Sequence, residues 1–165
     1  MLLKDLFADE RTASVYELDW EALAAQYDGV IFDIDNTLVP HGAPADKRAM
    51  RLFRCLHGLG MKTMVVSNNK EDRVKPFAWQ LQTDYVHKAG KPKKSGYEKA
   101  IKKLGLAPER ILFIGDQVFT DIWGANRAGM RTILTDPVDP STDEVQIVMK
   151  RWFEGPFRRQ AGIRH

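Results

Sequence analysis

Two aspartates, Asp33 and Asp35, close the apolar run Gly29-Val30-Ile31-Phe32, and Asn36 and Thr37 follow them. Like charges at the mouth of a hydrophobic segment repel, and burying them is costly unless a cation joins them. Three later stretches carry groups that fit the same company. Ser67-Asn68-Asn69 follows the apolar run 62–66, Lys88 to Lys94 follows a third run, and Gly115-Asp116 to Asp121 ends a fourth. Carboxylates, a hydroxyl, amides and an ammonium form an oxygen-rich set without Cys or clustered His, which favours Mg²⁺. With Mg²⁺ present, a phosphate dianion becomes an acceptable guest, and a lysine and a serine hydroxyl can hold its remaining oxygens. Residues two apart in an extended chain project to the same side, about 6–7 Å apart. That spacing leaves room for a cation and a phosphoryl group between two carboxylates with different roles. One can attack phosphorus to form an aspartyl-phosphate. The other can protonate the leaving oxygen and then activate water.

These groups converge only if the elements bearing them end at one edge. The sequence predicts strands at 29–34, 62–67, 84–89, 110–115 and 131–135, as short apolar runs. Helices are expected at 45–60, 70–82, 95–105, 120–129 and 142–153. Pro76 should kink the second helix or lie in its first turn. Ser95 is a candidate cap and Gly105 a stop for the third. In the last helix Val145, Val148, Met149 and Trp152 share one stripe. This alternation is the pattern of an α/β fold, a three-layer doubly wound, Rossmann-like parallel sheet. Ligands of such folds sit beyond the C-terminal ends of the strands.

The stretches Asp33–Val39, Ser67–Asn69, Gly90–Pro92 and Gly115–Asp121 resemble, in order and spacing, the four motifs of the haloacid dehalogenase (HAD) superfamily of aspartate-nucleophile phosphatases. The resemblance is nearer still to its subfamily IIIA of small capless phosphatases, the YqeG type, which is similar in turn to phosphatidylglycerophosphate phosphatases. It implies Asp33 as nucleophile and metal ligand. Asp35 would be the general acid/base and lend its backbone carbonyl to Mg²⁺. Thr37 would support the loop, Ser67 would bind a phosphoryl oxygen and Lys91 would neutralise the phosphoaspartate. Asp116 would ligate Mg²⁺ and Asp121 would support the metal shell. The short segments after the first and second motifs imply no large cap domain and an open site. An open site suits a bulky phosphate: a lipid headgroup, a nucleic-acid end or a phosphoprotein. Phosphatidylglycerophosphate is implied only through the subfamily, and sugar phosphates and nucleotides stay open.

Each residue also has a plainer reading. Ser67 would be an N-cap for the helix near Lys70, and Asp121 a first-turn helix acid. Lys88, Lys93 and Lys94 would compete with Lys91 as solvated loop charges. Asn68 and Asn69 would be turn formers. The four tryptophans are expected in the core or on helix faces.

The chain has 165 residues with a net charge of +3. That length is enough for one domain over 1–165, with 1–28 as a lead-in and 154–165 as a basic tail. No run approaches a membrane span. Acidic residues come too early for a secretory signal. The lone Cys55 reads as a small core residue of a cytoplasmic protein. Leu2, Leu3, Leu6 and Phe7 either pack on the domain or form a peripheral membrane anchor. The basic tail reads as a solvated terminus, with an anionic partner such as RNA as the alternative. The rival functional reading is accordingly an RNA- or GTPase-binding assembly factor that retains a phosphate site.

Overall fold

The computed structural model describes residues 3–162. Its strands are β1 (Glu10–Thr12), β2 (Gly29–Phe32), β3 (Lys62–Val66), β4 (Asp84–Val86), β5 (Ile111–Gly115) and β6 (Arg131–Thr135). Its α-helices are α1 (Trp20–Gln26), α2 (Lys47–Gly58), α3 (Glu71–Gln80), α4 (Lys94–Leu104), α5 (Trp123–Arg127) and α6 (Val145–Arg159). The strands pair in parallel in one open sheet, in the order β1-β6-β5-β2-β3-β4. From β2 the chain winds outward through β3 and β4, then returns to β5 on the other side of β2. The order therefore reverses between β2 and β5, where a crevice opens beyond the strand ends.

Alternate residues of each strand feed the two faces. Val30, Phe32, Val65, Leu112 and Ile114 pack under α1, α2 and α3, against Trp20, Leu23, Phe53, Leu56, Val74 and Phe77. Ile31, Met64, Val66, Ile111 and Phe113 pack under α4 and α5, against Tyr97, Ala100, Leu104 and Ala125. Both faces being covered is why β2 and β5 read as unbroken apolar runs. The expected fold class is thus the one observed. Gly105 ends α4 in the left-handed conformation, with φ of 68°.

Several expectations need correction. The strand expected over 84–89 stops at Val86, and the chain leaves the extended conformation at Lys88, which is left-handed with φ of 44°. Ser95 is not the cap of α4; Lys93 stands there and Ser95 lies in the first turn. Pro76 lies inside α3 rather than in its first turn. Residues 118–122 form one π-helical turn before α5. Cys55 is exposed on α2, whose inner face uses Leu52, Phe53 and Leu56. Of the tryptophans expected in the core or on helix faces, Trp79 of α3 and Trp152 of α6 are on helix faces as expected, exposed at 79% and 83%.

The lead-in packs on the sheet. Leu6 is buried with Val118, Ile122 and Leu134, and Phe7 lies with its ring centroid 5.4 Å from that of Phe157. Of the expected N-terminal apolar group only Leu3 is exposed among the described residues; Leu2 lies outside them. The basic tail is not simply solvated either. α6 continues to Arg159, and its Arg151 and Arg158 turn inward. Arg164 and His165 lie outside the described residues.

Candidate active site

β2 runs straight into Asp33, whose N–H donates to the Ile114 carbonyl at 3.0 Å and so extends the ladder past the strand's end. The chain then turns through Asn36 at φ 57°, a left-handed conformation that asparagine tolerates better than most residues. The turn is fixed from both sides. Asn36 N–H donates to the Val39 carbonyl at 2.7 Å, and its side chain donates to Asp143 Oδ1 at 2.6 Å. Next door, β5 ends at Gly115. A Cβ there would lie 2.5 Å from the side chain of Asp121, so only glycine lets the π turn fold back over the strand end.

These elements bring the expected groups together. Lys91 Nζ donates to Asp33 Oδ1 at 2.7 Å and to Asp121 Oδ1 at 2.6 Å. Asp33, Asp116 and Asp121 are all buried, and each places a carboxylate oxygen within 4.8 Å of the others. Thr37 Oγ1 donates to Asp116 Oδ1 at 3.0 Å and lies 3.5 Å from Asp33 Oδ2. The second Asp121 oxygen accepts from Gln117 N–H at 3.1 Å, so Asp121 stands behind the other two, held on both oxygens. Among the four loop lysines, Lys91 is the buried one; Lys88, Lys93 and Lys94 are exposed.

Asp35 points elsewhere. Its carboxylate accepts from Asn69 Nδ2 at 2.6 Å, Gly42 N–H at 2.8 Å and Arg73 at 3.0 Å. Ser67 is buried, and its Oγ accepts from Asn69 N–H at 3.1 Å. It does not cap α3, whose cap position is Lys70. Asn68 exchanges hydrogen bonds with the Lys91 backbone in both directions. The two asparagines thus position Lys91 and Asp35, beyond the turn-forming role expected of them.

Several contributors were not foreseen. Arg151 of α6 bonds Asp116 Oδ2 and Asp143 Oδ2, each at 2.5 Å. Arg158 donates to the Asp116 carbonyl at 2.6 Å. Tyr97 Oη donates to the Thr120 carbonyl at 2.5 Å, pinning the π turn from α4. A cleft of about 240 Å³ opens over the site, lined by Asp33, Asp35, Ser67 and Lys91 on the sheet side and by Ile147 and Lys150 on α6.

Burial pushes the Asp33 carboxyl well above its usual range, and the nearby Asp121 and Asp116 charges push the same way against Lys91. Asp116 is raised by burial and by Asp121, with Arg151 opposing. Burial would lower Lys91, but Asp121 and Asp33 overcome it and raise its pKa well above normal. The charge balance says the same. Counted by side-chain ion pairs, Asp33, Asp116, Asp121 and Asp143 are matched by Lys91 and Arg151, an excess of two negative charges. A divalent cation matches that excess, and the all-oxygen donor set suits a hard ion. The cluster could hold one.

Residues 44–129 match the model of the haloacid dehalogenase-like hydrolases. The chain is 38% identical over 143 residues to "Probable phosphatase YqeG" of Bacillus subtilis, covering 86% of this chain and 83% of that one. The chain belongs to the haloacid dehalogenase-like hydrolases. It is a phosphatase of that family. It is also 29% identical to the chloroplastic phosphatidylglycerophosphate phosphatase 1 of Chlamydomonas reinhardtii, over 85% of this chain and 56% of that one. It is 28% identical to the Arabidopsis thaliana chloroplastic/mitochondrial protein of that name, over 82% and 44%. It thus spans about half the length of those two relatives. A Brucella suis hydrolase of the haloacid dehalogenase-like family shares the fold, with a TM-score of 0.60 at 12% identity over 69% of this chain and 87% of that one. So does a protein from Listeria monocytogenes, with a TM-score of 0.56 at 22% identity over 71% and 83%.

Proposed function

We propose that the protein is a Mg²⁺-dependent phosphomonoesterase that works through an aspartyl-phosphate on Asp33. The observation that carries this reading is the buried Lys91 ammonium bridging Asp33 and Asp121, with Asp116 beside them, beneath a cleft that Asp33 and Lys91 line. The Asp33 carboxylate attacks phosphorus while the bond to the ester oxygen breaks. Asp35 gives the departing oxygen its proton and then takes one from the water that attacks phosphorus, releasing inorganic phosphate and restoring Asp33. Lys91 offsets charge at Asp33, and Ser67 Oγ holds an oxygen of the transferred group. Asp33 and Asp116, with the Asp35 backbone carbonyl, would hold Mg²⁺, and Asp121 would support them; the ion supplies neutralisation of the carboxylates and of the phosphoryl oxygens.

The reading of lead-in, sheet and tail as one working unit is supported by β1, which joins the sheet, and by Arg151 and Arg158, which reach Asp116. The open cleft and the two relatives named for phosphatidylglycerophosphate favour a bulky lipid phosphate as substrate. The test is phosphate release across lipid, sugar, nucleotide and peptide phosphates, with and without Mg²⁺. Release from a generic aryl phosphate should stop with chelator and with Asp33→Asn. Full activity in either condition would reject the assignment. RNA binding is not favoured, because Arg151 and Arg158 are engaged by Asp116, Asp143 and Asp136.

A further inference from the structure

α6 is an amphipathic helix mounted the wrong way round. Its apolar positions Val145, Val148, Met149, Trp152 and Phe153 recur at the spacing of one helical face. In a helix packed on a soluble core that face points inward. Here it points outward: Trp152 is 83% exposed, Val145 78%, Phe153 71%, Met149 60% and Val148 40%. The opposite face carries charge and is the one that packs. Glu154 is fully buried there and accepts from Phe119 N–H at 3.2 Å, while Arg151 and Arg158 bond Asp116.

The ion pairs explain why the helix sits this way. Arg151 and Arg158 must reach a carboxylate and a carbonyl at the end of β5, and helical periodicity then forces the apolar stripe to the opposite side. Five large apolar side chains on one helix are left in water, and so many contiguous exposed apolar groups mark an interaction surface.

We infer that the outer face of α6 lies on an anionic lipid surface. The charge pattern selects that occupant. Lys150 and Arg159 are exposed on α6, and Glu154, the sole acid within the helix, is turned inward. A Trp/Phe/Met stripe with cationic neighbours is the composition of a helix lying in the headgroup layer. The placement also serves the site. Ile147 and Lys150 of the same helix line the cleft, so an α6 seated in the headgroups puts the cleft within a helix diameter, about 10–12 Å, of the lipid phosphates. That second point rests on the phosphatase reading proposed above; the docking surface itself does not.

The test is flotation of the full chain with vesicles of phosphatidylcholine alone and of phosphatidylcholine mixed with phosphatidylserine, at low and high salt. Phosphatidylserine carries no phosphomonoester, so binding cannot be capture of a substrate. The protein should float with the anionic vesicles, less so at high salt, and Trp152→Ser/Phe153→Ser should weaken partition by about tenfold or more. That variant should hydrolyse p-nitrophenyl phosphate as the parent does, which also shows that it is folded. Asp33→Asn should float normally, so a failed phosphatase assignment and a failed docking surface give different results. Three outcomes overturn the inference. They are no flotation of the parent with anionic vesicles, equal flotation of the double variant, and a dimer in solution that the double variant dissociates. The last would make a second copy the occupant.

Discussion

Replacing Lys91 with methionine removes the ammonium that Asp33 and Asp121 share. Its contacts at 2.7 and 2.6 Å are each worth about 6 kcal/mol at an effective dielectric near 20. Desolvation of the buried ammonium offsets much of that gain. What the substitution leaves is the larger effect: buried carboxylates of Asp33, Asp116 and Asp121 within 4.8 Å of one another, with Arg151 paired to Asp116 and no ion pair left on Asp33 or Asp121 among the described residues. Breaking a buried pair in this way costs about 3–5 kcal/mol. Urea unfolding in chelator should therefore show Lys91→Met destabilised by that amount. Adding Asp121→Asn should recover more than half of it, because the second change removes one of the abandoned charges. Millimolar Mg²⁺ should also narrow the gap. A loss below about 1 kcal/mol, or no recovery in the double variant, would refute the electrostatic reasoning.

Asp35→Asn should lower kcat by about 10²–10⁴ while an unfolding scan still shows stabilisation by Mg²⁺, since its side chain engages Asn69, Arg73 and Gly42 rather than the carboxylate cluster. Gly115→Ala should lower both stability and kcat/KM, because the added methyl collides with Asp121. Glu154→Gln tests the inward face of α6. Burial raises the Glu154 carboxyl from 4.5 to about 7, so its folded form prefers the proton. Its contribution to stability is whole below pH 4.5 and is lost as pH rises to 7. The variant should gain on the parent across that window, by roughly 3 kcal/mol at the top, in unfolding free energies measured against pH.

The sheet was legible where both faces are covered. β2 and β5 are unbroken apolar runs because each residue meets a helix layer, and the polar residues that follow them stood out for the same reason. β1 was not legible: three polar residues, two of them exposed, pair with β6 without any apolar run to mark them. The orientation of α6 was hidden for a different reason. Periodicity locates an apolar stripe but assumes that it faces the core, whereas the Arg151–Asp116 pair spans 35 residues of sequence and overrules that assumption. Arg73 and Asp143 escaped notice likewise, since nothing local marks a charge as aimed at Asp35 or Arg151. Asp33, Lys91 and Asp116 were readable because strand ends share an edge in a parallel sheet, and Asp121 because it closes the turn after β5.

An Asp33 carboxylate bonded to phosphorus during turnover can be trapped chemically. Borohydride added during turnover of an aryl phosphate with Mg²⁺ reduces an acyl phosphate to an alcohol, which converts the aspartate into homoserine. Peptide mass spectrometry should find homoserine at position 33, only when substrate and Mg²⁺ are both present. An unmodified Asp33 in an enzyme that is turning over, or homoserine at position 35 or 116 instead, would contradict the account.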